Sequence, residues 1–273
     1  MIPFRRIRGQ CRSAGFSLLE LLVVVAILTA VLGIVFTAMV DLQKVYRTEE
    51  TKIDATQSAR TFLDTIVSEL RQAGFPSRRV FAPGVLSSPV LNDARCAAGL
   101  VRISPSELWL EADVEGDGQV ESVRYTLTDN NGAPVTAAST CPCNLWRSQV
   151  VKVTAAPSAQ AVNYGSTLER VINSGDVAGA GTALALSGSA AFSGGTQSYD
   201  QLYAAYKSAR VFSAFDQNGN VLSLPLDQAA NPAAIAQVRA ITITLNLLAS
   251  APDLQTGFTP VVSMSASSKV NNY

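Results

Sequence analysis

The side chains that could do chemistry in this chain are few, and one kind is absent. There is no histidine, so no Ser/His/Asp relay can form and the commonest metal ligand is missing. Four cysteines occur, Cys11, Cys96, Cys141 and Cys143. The sequence Cys141-Pro142-Cys143 is C-x-C rather than C-x-x-C, and with Cys96 it gives three thiols and no imidazole, an incomplete zinc set. Asp113, Glu115, Asp117, Gln119 and Glu121 alternate around Gly116 and Gly118 like the start of a calcium loop. The position that should hold a bidentate glutamate is Arg124, however, so the segment reads as a polar hairpin tip. No phosphate-binding glycine loop is present, and Trp109 and Trp146 read as sheet or core aromatics. No cofactor and no metal site are expected, and an enzyme is the least favoured class.

One carboxylate stands where its chemistry is costly. From Phe16 to Val40 the chain is apolar with a single charge, Glu20. At about 1.5 Å per residue this stretch crosses a roughly 30 Å hydrocarbon core with some tilt. A carboxylate inside such a helix costs about 2.5–3.5 kcal/mol on insertion scales, and a plain membrane anchor gains nothing from it. A free α-amino group on a neighbouring subunit would offset the charge, and the helix dipole would add a little. That amine requires a cut just before Phe16.

Arg5, Arg6, Arg8 and Arg12 precede the apolar run with no acid among them. By the positive-inside rule the N-terminus stays cytoplasmic and the body lies outside. The apolar run is too long for an ordinary secretory signal, and no clear A-x-A site closes it. The whole chain has 21 basic and 21 acidic residues. Losing the four arginines leaves 17 against 21, near −4, which argues against nucleic-acid binding by a general basic surface. The outside compartment is oxidising. We expect a disulfide from Cys96 to Cys141 or Cys143. A bond within C-x-C, leaving Cys96 free, is the alternative. Cys11 would leave with the leader.

The elements that must position these residues follow from periodicity. No proline occurs between Pro3 and Pro76. Beyond the apolar block, Val45, Ile53, Phe62, Leu63, Ile66, Val67 and Leu70 recur at helical and longer spacings. One helix is predicted from about Phe16 to Ala73, stopped by Gly74 and Pro76. After Pro76, alternating runs predict a hairpin of 107–113 with 120–127 around Glu115-Gly116-Asp117-Gly118. A short strand is predicted at 150–153. A second hairpin, 211–215 with 221–224, is predicted around Asp216-Gln217-Asn218-Gly219-Asn220. A strong strand at 238–248 and a last one at 261–266 complete an antiparallel sheet. Residues 155–200, rich in Ala, Gly and Ser, read as an irregular insertion. The expected organisation is a leader at 1–15, a long helix at 16–75 with its transmembrane half at 16–40, and a β-rich globular domain at 76–273.

The residues Gly15-Phe16-Ser17-Leu18-Leu19-Glu20, followed by the apolar run, resemble the prepilin cleavage and methylation motif of the type IV pilin and type II secretion pseudopilin superfamily. The resemblance covers roughly residues 9–45. It implies an α+β, pilin-like fold: a long N-terminal helix packed on an antiparallel β-sheet domain, or on two small sheets. It also implies that a prepilin peptidase cuts between Gly15 and Phe16, that Phe16 becomes N-methylated, and that Glu20 pairs with an N-terminal amine during assembly. Many major pilins carry a proline in the apolar half; this chain has none.

The helix end Glu69-Leu70-Arg71-Gln72-Ala73-Gly74-Phe75 resembles PilW-type minor pilins. So does the order of a hairpin ending in V-R-Y, a D-x-N-G hairpin and V-R-A-I-T-I-T-L. The resemblance implies a minor pilin at or near the filament tip, with other minor pilins and the major pilin as partners. It would sit in the bacterial inner membrane before assembly and at the cell surface after it. A J-type pseudopilin of type II secretion is one alternative; a filament-borne adhesin or DNA-uptake module is another.

Overall fold

A computed structural model describes residues 17–192 and 195–270. The leader, Gly15 and Phe16 lie outside the described residues. Helix α1 spans Leu18–Gln72, and within it the chain passes from a first unit, Met1–Tyr46, to a second, Arg47–Tyr273.

Among the described residues, the first unit has no core of its own. Leu18 is 81% exposed and Ile34 71%, and the apolar side chains between them are exposed as well. The second part of α1 is different in kind. Ala59, Phe62, Leu63, Ile66 and Leu70 are buried, the last two completely. Their spacing of three and four puts them on one face, where burial of each large side chain stabilises by roughly 1.5–3 kcal/mol. Gly74 ends the helix at a φ of 86°, a left-handed conformation that glycine adopts without penalty. The chain then runs beside the sheet: Gly74 N–H donates to the Glu111 carbonyl at 3.0 Å, and Asp113 N–H to the Phe75 carbonyl at 2.9 Å.

The strands in chain order are β1 (Gly99–Ile103), β2 (Glu107–Ala112), β3 (Glu121–Thr128), β4 (Thr140–Cys141), β5 (Cys143–Val151), β6 (Tyr164–Val171), β7 (Ala185–Leu186), β8 (Ser189–Phe192), β9 (Gly195–Ser198), β10 (Phe212–Phe215), β11 (Leu226–Asp227), β12 (Ala240–Leu248) and β13 (Val261–Lys269). Nine of them form one antiparallel sheet in the order β10-β12-β6-β5-β3-β2-β1-β11, with β13 added on the other side of β12. The pairs β4–β7 and β8–β9 are separate small sheets. This is the expected α+β build, a long N-terminal helix whose second half packs on a curled antiparallel sheet. Leu108, Leu110, Val123, Tyr125, Leu127, Leu145 and Leu168 meet the helix face in a single apolar core, and the rings of Phe62 and Tyr125 meet edge-on at 5.7 Å.

Four local expectations change. The stretch 155–200 is not irregular throughout, because it contains β6, a member of the main sheet, with Leu168 and Val171 buried. The strand expected at 150–153 begins at Cys143. The second hairpin keeps its Asp216–Asn220 turn, but its return arm reduces to one bridge, Phe215 to Val221. The disulfide joins Cys141 to Cys143, not to Cys96. Cys141 ends β4 and Cys143 opens β5, with Cα atoms 4.4 Å apart, inside bridging range. Cys96 is a buried free thiol whose Sγ lies 3.1 Å from the Val90 carbonyl, and burial pushes its pKa up.

Candidate processing and assembly site

Ser17 leads directly into α1, and its carbonyl accepts the Leu21 N–H at 3.1 Å. Glu20 stands in the first turn, where the helix dipole favours a negative charge. It is exposed, and no salt bridge reaches it among the described residues. Leu18, Leu19, Leu21, Leu22 and Val23 surround it, all exposed. The polar side chains further along are satisfied within the helix. Thr29 Oγ1 donates to the carbonyls of Val25 and Ala26 at 3.0 and 2.9 Å, and Thr37 Oγ1 to Gly33 at 2.9 Å. That is the accounting a hydrocarbon environment demands, since nothing else there can accept a hydrogen bond. One helix among the described residues is long and apolar enough to cross a membrane, and it is this one.

The other end of α1 carries a polar clamp that sequence reasoning missed. Glu69 is 5% exposed. One of its oxygens accepts from the Tyr125 hydroxyl on β3, and the other from Arg147 on β5, whose Nε lies 2.8 Å away. The Arg147 guanidinium also donates to Gln149 at 2.5 Å. Burial, then the neighbouring Glu69 charge, push the Tyr125 pKa well above its ordinary value. For Arg147 burial pulls downward, but the hydrogen bond and charge of Glu69 outweigh it and the net direction is up. The signal was present in the sequence: Glu69 falls on the same stripe as Phe62, Ile66 and Leu70, an acid where the pattern calls for an apolar residue.

A second buried pair holds the segment after the helix. Lys152 is fully enclosed, and its three donors go to the carbonyls of Leu91 and Cys96 and to Glu111, at 2.8, 2.9 and 2.6 Å. Glu111 also accepts from Ala98 N–H at 2.9 Å. Burial raises its pKa, with Lys152 acting in the opposite direction. These bonds fasten the loop around residues 91–98 to the sheet.

The acidic hairpin tip is occupied by the protein's own amides. The Asp113 carboxylate accepts from Gly116, Asp117 and Gly118 N–H at 2.7, 3.1 and 3.0 Å, and Glu121 accepts from Val114 N–H at 2.9 Å. Each carboxylate organises a turn. Trp109 is buried in β2 and donates to Ser122 Oγ at 2.6 Å, with the Arg124 guanidinium 4.8 Å above its ring. Trp146 lies beside Tyr164, ring centres 5.9 Å apart.

The comparison with protein families matches residues 11–36 to the prokaryotic N-terminal methylation motif. No curated protein and no solved structure matches the chain. The matched segment contains the glycine, the aromatic residue and the glutamate on which the resemblance was based, together with most of the apolar run. The motif marks structural proteins that a prepilin peptidase processes and that assemble with other pilins. A single apolar N-terminal helix is consistent with anchoring in the inner membrane before that assembly. With this motif leading a long helix, and the helix closing on a curled antiparallel sheet, the chain carries a prepilin-type N-terminal motif on a pilin-like build, and so resembles the type IV pilin and pseudopilin superfamily.

Proposed function

We propose that this protein is a minor pilin, cut between Gly15 and Phe16, N-methylated on Phe16, and incorporated at or near the tip of a type IV pilus, where it helps prime assembly without catalysing a reaction. The observation that carries the reading is the lone Glu20 carboxylate in a helix whose surrounding apolar side chains are all exposed. Among the described residues, neither the exposed apolar surface nor the charge is satisfied within one chain. A row of like helices satisfies both: apolar sides pack together, and the amine of one subunit meets the carboxylate of the next. The hairpin order V-R-Y, D-x-N-G, V-R-A-I-T-I-T-L supports the PilW-like assignment. The partners are the prepilin peptidase, other minor pilins and the major pilin.

Replacing Glu20 by Val removes the charge and leaves the cleavage bond alone. The variant is expected to be inserted and processed but not recovered in filaments. Wild-type levels of E20V in filaments would contradict the role given to the carboxylate. The same motif serves the J-type pseudopilin of type II secretion, so deletion of the chain decides between the two machines. Loss of twitching with intact secretion supports the minor pilin, and the reverse pattern assigns the chain to secretion.

A further inference from the structure

The open edge of the main sheet is long and unguarded. Strand β13 pairs with β12 through nine consecutive residues, Val261–Lys269, without a bulge. Its hydrogen-bonding phase can be fixed from both ends. Val270 N–H donates to the Arg239 carbonyl at 3.0 Å, and Ala249 N–H to the Pro260 carbonyl at 2.8 Å. Bonds in an antiparallel ladder recur at every second pair. Counting inward from either end, Ser268, Ala266, Met264 and Val262 bond to Ile241, Ile243, Leu245 and Leu247. The intervening residues, Val261, Ser263, Ser265, Ser267 and Lys269, therefore aim their N–H and C=O groups away from β12. No backbone partner meets them among the described residues. One local contact exists, from Ser268 Oγ to the Lys269 carbonyl at 3.2 Å.

Natural edge strands are normally short, bulged, or broken by proline or inward charges. The opposite edge of this sheet follows the rule, because β11 has two residues. Strand β13 has no proline and only a terminal lysine, and it offers roughly 30 Å of ladder at about 3.3 Å per residue. We infer that β13 is a docking edge for an extended strand from a different pilin-like subunit, an inference that rests on the filament reading above. A second copy of this chain does not fit. Antiparallel pairing of two β13 strands places a twofold axis normal to the sheet. That axis reverses residues 47–72 of α1, which lie along the sheet, so two chains joined this way cannot share one filament polarity. Head-to-tail pairing would match nine residues against the two of β11. The fitting partner presents an uncharged extended segment, with an acidic residue where it meets Lys269, since opposite charges facing across strands are favourable.

The test uses the full-length processed chain, alone in detergent and recovered through an affinity tag in its assembled complex. Residue-resolved hydrogen exchange is compared between the two states, and Ser265→Pro is compared with Ser265→Thr. Proline at 265 deletes one outward N–H without touching a bond to β12; threonine retains it. The expected result is that the amides of Ser263, Ser265 and Ser267 exchange freely in the isolated chain and slow by about tenfold or more on assembly. S265P should lower incorporation several-fold while S265T keeps it. Unchanged exchange in the assembled complex overturns the inference, as does equal incorporation of the two variants. Protection that grows with concentration in the isolated chain would make a second copy the occupant and overturn it too. A chain never cut before Phe16 and never incorporated overturns both this inference and the filament reading, whereas a cut, incorporated chain with a fast-exchanging edge overturns this inference alone.

Discussion

Glu69 acts as an anchor because both of its oxygens are used and both partners lie on the sheet. Removing the carboxylate leaves Arg147 with a largely buried, unpaired charge, and breaking such a pair costs about 3–5 kcal/mol. Removing only the Tyr125 hydroxyl costs about 1–2 kcal/mol. Denaturant unfolding of Glu69→Gln and Tyr125→Phe should reproduce that order. The double variant should cost less than the two added together, because the lost bonds share one carboxylate. Asp93 makes a prediction in pH. Its carboxylate accepts from Arg95 Nε and Nη2, at 3.0 and 2.8 Å, and from Ser87 N–H at 2.7 Å. The Arg95 side chain, then the Ser87 amide, hold its pKa far below the ordinary 3.8. A depressed carboxylate contributes stability that is full above its unfolded value and is lost as pH falls through the lower folded value. Asp93→Asn should therefore flatten the acid limb of the melting profile below about pH 4 and leave its shape near neutrality unchanged.

At the scale of elements, the sequence was readable wherever one face of a strand is apolar and a turn signal stands beside it. The hairpin of β2 and β3 and the strand β12 meet both conditions. The first half of β5 does not: Leu145 and Arg147 point to the same side, and an arginine facing the core makes no sense until Glu69 is brought to it from α1. Strand β6 is hidden for a related reason. Only Leu168 and Val171 of Tyr164–Val171 are buried, so its alternation disappears into an Ala/Gly/Ser-rich background. Of the two cysteine pairings the sequence leaves open, the one within C-x-C forms, while Cys96 stays buried and free with its carbonyl held against the sheet by Lys152. By contrast, Glu20 stands out in the sequence itself, since a charge in an apolar run needs no tertiary context to look anomalous, while Gly15 and Phe16 lie outside the described residues and take their roles from the resemblance alone. The tip of the β2–β3 hairpin tests how turns are built here. Asp113→Ala removes the acceptor for three amides, and unfolding should become easier by about 1–3 kcal/mol. Added calcium should leave the wild-type melting temperature unmoved, because binding an ion there would first require releasing those amides.

The molecule as a whole is divided by solvent. The buried core lies within residues 59–270, while the apolar half of α1 contributes nothing to it and is exposed. Composition carries the same division. The proposed leader holds Arg5, Arg6, Arg8 and Arg12 and no acid, so its removal would turn a neutral chain acidic and take Cys11 with it. The proposed cut would make Glu20 intelligible, because it would supply an amine for a carboxylate that no salt bridge reaches among the described residues. The most direct measurement is mass spectrometry of the N-terminus of the chain isolated from its native membrane. The expected terminus is Phe16 carrying an N-methyl group. An intact Met1, or a terminus beyond the apolar run, would contradict it.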